Sequence, residues 1–155
     1  MSGQAEVMVA AILESGYTAR IRVDGDSMHP LLRSGDALIV EPVVTGCLRA
    51  GDIVLARLDR GLTAHRVIRV DREAGRIVRI TSRGDNCVEA DPSFTPERIL
   101  GRVISREREG AIRPVRSSLF AAILTASARR RGRVVRARIG RFAGRLSSAM
   151  RFVSS

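Results

Sequence analysis

The chain is expected to fold as a mainly β protein: a compact domain of coiled antiparallel sheets, with a short N-terminal helix before it and a basic helical tail after it. Three observations lead there. Between Tyr17 and Ser105, short apolar or alternating runs recur with Gly-, Asp- and Pro-containing turns between them, the spacing of hairpin-connected strands. Residues 2–15 carry a helical rhythm instead, ending at Ser15-Gly16, where glycine is the expected stop. Residues 113–155 hold eleven arginines and no acid, whereas residues 1–112 balance sixteen arginines against sixteen acids. The chain therefore divides into 1–16, 17–112 and 113–155, and the net charge of +11 belongs to the last part.

Each element of the β domain has its own signal. Tyr17 to Val23 alternates as a half-buried strand does. Gly25-Asp26-Ser27-Met28-His29-Pro30 is a turn, after which Leu31-Leu32 returns to the core. Ser34-Gly35-Asp36 turns tightly into a strand, Ala37 to Glu41, and Pro42 ends its pairing. Leu48 to Asp52 turns into Ile53–Leu58, and Asp59-Arg60-Gly61 reads as a hairpin loop. Leu62 to Val70 returns antiparallel with His65 in its middle; Ala74-Gly75 turns again into Arg76–Thr81. After the loop Arg83–Asp91 and an irregular stretch from Pro92 to Pro96, Ile99 to Ser105 is the last strand. Arg113-Pro114 marks the boundary with the tail.

Composition excludes several classes. Hydrophobic residues make up 45% and aromatics 3%, with no Trp, so Val, Ile and Leu must form the core. Cys47 and Cys87 lack metal-ligand spacing and read as unpaired thiols in a reducing compartment rather than a disulfide. The apolar run Val7–Leu13 is far shorter than the roughly 18 residues of a span, is flanked by Glu6 and Glu14, and has no basic leader. A cytoplasmic chain without a membrane anchor is expected, at most peripherally associated. No phosphate loop, zinc site or nucleotide fold is present in the pattern, so neither cofactor nor metal is expected.

Ser27 is the candidate nucleophile. A serine hydroxyl needs a base within hydrogen-bond reach, and histidine suits that task at neutral pH. All 27 basic residues are arginine, which stays protonated, so no lysine can serve as base. Of the two histidines, His29 sits beside Pro30 at the mouth of the turn, and His65 is the better candidate.

These residues carry a resemblance. Ser27-Met28-His29-Pro30 with Arg33-Ser34-Gly35-Asp36 resembles the nucleophile box of the signal peptidase I and LexA superfamily of serine peptidases. Gly51 to Ala56, then Ala64-His65-Arg66-Val67-Ile68, resembles the box that holds the general base; Arg83-Gly84-Asp85-Asn86 with Asp91, then Ile99 to Val103, resembles the closing boxes. With His rather than Lys at the base position, the chain is similar to the endoplasmic-reticulum, archaeal and SipW-type branch. The resemblance implies a serine endopeptidase that cleaves after small residues. Ser27 would be the nucleophile, His65 the base, and Asp91 or Asp85 the group that orients it, with Asp91 the better placed. Gly25, Asp26, Met28 and Pro30 are the candidate oxyanion and substrate contacts, the Ser27 N–H being the first oxyanion donor. A polypeptide substrate would lie extended as an added strand. Self-cleavage is a narrower version, for which Ala50-Gly51 and Ala74-Gly75 are suitable only in composition, since both fall in turns.

In the tail, residues 117–127 suit a short helix. Val135, Ile139, Phe142, Leu146, Met150 and Val153 fall on one helical stripe with arginines outside it. That stripe fits an anionic membrane surface, or equally the β domain or a partner; Gly132, Gly140 and Gly144 weaken a free helix. Two other functions remain open. One is an idle β module that binds extended peptides. The other is nucleic-acid binding through the tail, against which stands the lack of interleaved aromatics.

Overall fold

The computed structural model describes residues 3–59 and 61–115. The tail helix expected beyond residue 115 lies outside these residues. Helix α1 (Gly3–Glu14) turns Val9, Ala10 and Leu13 into the core and leaves Val7 and Met8 exposed. It stops at the anticipated place, with the Tyr17 N–H donating back to the Ile12 carbonyl at 3.1 Å. Seven antiparallel strands follow: β1 (Ala19–Arg22), β2 (Ala37–Glu41), β3 (Ile53–Leu58), β4 (Gly61–Glu73), β5 (Arg76–Arg83), β6 (Ile99–Arg108) and β7 (Ala111–Pro114). The chain is a mainly antiparallel β domain with one short N-terminal helix, as the sequence leads one to expect. Among the described residues, no helix is long and apolar enough to cross a membrane.

Strands β2 and β3 coincide with the expected runs. β4 and β6 run further, because two-residue turns let their ladders close to the tip. Ala74-Gly75 (φ 46° and 79°) and Glu109-Gly110 (φ 51° and 76°) both place two residues at positive φ, the geometry that matches strand twist and that glycine eases. The second of these turns produces β7, which the sequence does not announce. All four of its residues are exposed, so no alternation marks it. It takes in Arg113 and Pro114, the residues read as the start of the tail, and Val115 still bonds to Ile104 at 2.8 Å.

The sheet order is β1-β2-β6-β3-β4-β5, with β7 on β6. β6, the last long strand in the chain, pairs with β2 along one side and with β3 and then β7 along the other. β3 is buried on both faces. Ile53 and Leu55 join one core cluster with α1, β1, β2, Met28 and Leu32; Val54 and Ala56 join a second with Leu48, Val67, Ile80, Phe94 and Ile99. This is why its sequence is a continuous apolar run rather than an alternation.

Asp36 closes the turn that leads into β2. It accepts from the Arg33 N–H at 2.9 Å and from Arg108 on β6 at 2.6 and 2.7 Å. Burial alone would raise its pKa; the Arg108 fork, the Arg33 N–H and the Arg106 charge outweigh burial and hold it below the ordinary carboxylate range. The unfolded chain therefore takes up this proton before the folded one. The pair's contribution is complete above about pH 4 and is lost as pH falls through the lower folded value. In urea unfolding from pH 7 to pH 2, the stability gap between wild type and Arg108→Met should close below about pH 4. A constant gap would mean that the pair contributes no proton linkage.

Candidate active site

Ser27 lies on an excursion from β1 whose ends are tied together. The Val23 N–H donates to Asp36 O at 2.7 Å, the Gly35 N–H to Val23 O at 2.9 Å, and Ser34 Oγ to Asp24 at 3.2 Å. Gly25 opens the turn at φ 110°, and the His29–Pro30 peptide is cis. Asp26 O accepts from the His29 N–H, and Met28 O from the Leu32 N–H, each at 3.0 Å. Met28 and Leu32 are fully buried and anchor the excursion in the core, while Pro30 stays exposed. Ser27 is thus held from below by its successor's side chain. Its own Oγ is buried and makes no hydrogen bond among the described residues.

His65 sits in β4 opposite Val54 of β3, in a ladder without register shifts. Its Nδ1 is 2.7 Å from Asp91 Oδ2. A carboxylate only accepts, so Nδ1 bears a proton in this contact, and in the neutral tautomer that results Nε2 holds the lone pair. The same Asp91 oxygen accepts from Ser82 Oγ at 2.6 Å, and the Asp91 N–H donates to Ser82 O at 2.9 Å.

The loop after β5 joins the two parts. Asn86 donates its N–H to Ser27 O at 2.7 Å and its Nδ2 to Asp26 O at 2.8 Å; the Asp85 N–H reaches Met28 Sδ at 3.3 Å. Gly84 lies between nucleophile and base. A methyl group there would fall 2.5 Å from Ser27 O, 2.8 Å from Cys87 Sγ and 3.0 Å from His65 Nε2. Only glycine admits this approach.

The two aspartates that sequence left undivided take different partners. Asp91 meets His65, whereas Asp85 accepts from Arg66 Nε and Nη2 at 2.8 Å each. Arg66 is 1% exposed and also donates to Gly51 O at 2.9 Å. This buried fork fixes the loop that carries Asn86 onto Ser27. Neither cysteine is in a disulfide; Cys87 lies beside the Ser27 carbonyl and Cys47 is exposed.

The arrangement brings together a serine on a tight turn, an imidazole whose Nε2 lies across Gly84 from the Ser27 carbonyl, and a carboxylate on the imidazole's other nitrogen. That is the ordering of groups acyl transfer through a serine requires. Residues 3–104 match the model of one protein family, described as Peptidase S24-like. The chain belongs to the Peptidase S24-like family. No curated protein and no solved structure matches it. Family membership places the chain in the LexA and signal peptidase superfamily and makes it, at the coarse level, a peptidase. The matched stretch contains Ser27, His65, Asp85 and Asp91 and ends within β6.

Sequence reasoning missed Ser82, Gly84 and Arg66 as parts of this Peptidase S24-like site. Ser82 had a signal: counted back from the Ala74-Gly75 turn it faces Val67, two residues beyond His65 and so on the same face. Arg66 had none, because one arginine among 27 announces nothing about burial.

Proposed function

We propose that this Peptidase S24-like chain is a serine endopeptidase of the histidine-base kind, cleaving extended polypeptides after small residues. Ser27 Oγ attacks the scissile carbonyl carbon as its proton passes to His65 Nε2. Asp91 holds the Nδ1–H and balances the imidazolium. The Ser27 N–H, aided from Gly25 or Asp26, takes the oxyanion. The imidazolium then gives its proton to the leaving amine, and water, deprotonated by the same nitrogen, releases the acyl group from Ser27. Ser27 Oγ is buried and, among the described residues, unpartnered, and its hydrogen bond to Nε2 would form as substrate binds, when catalytic hydrogen bonds tighten.

One observation carries this reading: the 2.7 Å contact between His65 Nδ1 and Asp91, made while Nε2 and Ser27 O both crowd the same glycine. Among the described residues no strand pairs with the outer edge of β1, the strand that runs into the Ser27 turn, which supports strand addition by substrate. The outer edge of β5 beside the site is already occupied by residues 91–94, through Asp91 to Ser82 and Phe94 to Ile80.

A serine-directed acylating probe tests the proposal. Wild type should be labelled at Ser27, and Ser27→Ala and His65→Ala should not. Wild type left unlabelled from mildly acidic to mildly alkaline pH, beside an active relative that does label, would overturn it.

A further inference from the structure

We propose that Ser82 is a positioning residue of this site: its hydroxyl pins the Asp91 carboxylate so that Oδ2 stays on His65 Nδ1. The inference rests on the peptidase reading above and adds a fourth side chain to it. Asp91 needs such a support. It belongs to no strand; it sits in the connection between β5 and β6. Its side chain is 19% exposed, so water competes for its oxygens. Its last torsion joins an sp³ to an sp² carbon, for which the rotational preference is broad.

Ser82 supplies an independent hold. It is 1% exposed, and its place in β5 is fixed against Val67 of β4, the strand that carries His65. It grips Asp91 twice: its carbonyl accepts the Asp91 N–H at 2.9 Å, and its hydroxyl donates to Oδ2 at 2.6 Å. Two donors therefore converge on one oxygen, since His65 Nδ1 lies 2.7 Å from the same atom. At 2.6 Å the hydroxyl bond has the length of a charge-assisted one. The carboxylate is fixed in rotation by a group that the sheet, not the histidine, places. The imidazole then inherits its orientation from β5 as well as from β4.

The experiment compares full-length wild type, Ser82→Ala and Ser82→Thr. The first reading is the concentration dependence of labelling by the acylating probe, which separates the limiting rate from the half-saturating concentration. The second is the proton NMR signal of the His65 Nδ1–H. Ser82→Ala should lower the limiting rate roughly 10- to 100-fold, the range for groups that orient a functional histidine from behind, with the half-saturating concentration within about twofold. Ser82→Thr, which keeps the hydroxyl, should recover most of the rate. The Nδ1–H signal should be sharp and far downfield in wild type and Ser82→Thr, and broadened or lost in Ser82→Ala.

A limiting rate in Ser82→Ala within threefold of wild type would overturn the proposal. So would a loss matched by lower thermal stability and not recovered by threonine, because that marks a purely structural hydroxyl. If wild type itself is not labelled, the peptidase reading fails and the imidazole signal decides alone. An unchanged signal in Ser82→Ala then overturns the positioning role, and its loss upholds the role.

Discussion

Asparagine in place of Asp91 is expected to slow acylation of Ser27 on the order of 10³–10⁴-fold while the fold stays intact. The amide nitrogen of asparagine donates where the carboxylate accepts. It would meet the Nδ1 lone pair and drive the ring proton to Nε2, which then has nothing to offer the serine proton. Ser82 Oγ meets the same position as the imidazole and can accept from the amide nitrogen there, so unfolding stability should change by no more than about 1 kcal/mol. The neighbouring carboxylate should behave in the opposite sense. Asp85→Ala leaves Arg66 as a buried, unpaired guanidinium, a defect of about 3–5 kcal/mol against a total stability of about 5–15 kcal/mol. Replacing both, as Arg66→Met with Asp85→Leu, should recover much of that loss. Probe labelling and urea unfolding on the same variants read both effects. Equal activity losses for Asp91→Asn and Asp85→Asn at equal stability would refute the division of labour between the two carboxylates.

The second large effect belongs to a residue with no side chain. Gly84→Ala would put a methyl group against the Ser27 carbonyl, the Cys87 sulfur and the base nitrogen. Two of these belong to the parts that must meet, and the Ser27 carbonyl is backbone that can yield only by moving the turn. Displacement of about 1 Å at a reacting centre costs on the order of 100-fold in rate, and overpacking of this kind costs about 1–3 kcal/mol in stability. Gly84→Ala should therefore lose labelling at least about 100-fold and unfold at lower urea. Gly46→Ala, where an added methyl meets nothing within 4 Å, provides the control and should leave both unchanged. Normal labelling of Gly84→Ala would mean that the serine and the imidazole do not approach through this gap.

How much of this was legible depends on what each residue's neighbours reveal. β2 and β3 could be read because burial writes itself into runs such as Ala37-Leu38-Ile39-Val40 and Ile53-Val54-Leu55-Ala56. β7 could not, since a strand exposed along its whole length leaves no pattern. That Ser27 and His65 would lie near one another was legible because their residue types suit only a few tasks and their surroundings follow a known order; the fold brings both to Gly84. Asp85 and Asp91 were not separable, because distance along the chain does not say which carboxylate a folded imidazole will face. Arg66 decides that question by capturing Asp85, and its burial is a tertiary fact. In the β4–β5 hairpin, irregularities between Val67 and Arg69 and between Asp71 and Arg72 offset one another. The pairing of Val67 with Ser82 is therefore the one a plain two-residue turn would produce. A reader who trusted that turn would have found Ser82.

The position of β6 has a consequence for when the protein becomes competent. Ser27 hangs from the β1–β2 unit, and His65 and Ser82 belong to the β3–β4–β5 unit; among the described residues, β6 alone bridges the two in the sheet. A chain emerging from the ribosome has every reactive group in hand by Asp91, yet the strand that welds the two halves begins at Ile99. Until it arrives, the two units meet through the shared core and the Asn86 contacts to the Ser27 turn, without a strand that carries both. On the proposed peptidase reading, the strand that carries both halves in one sheet is thus made after every residue of the site.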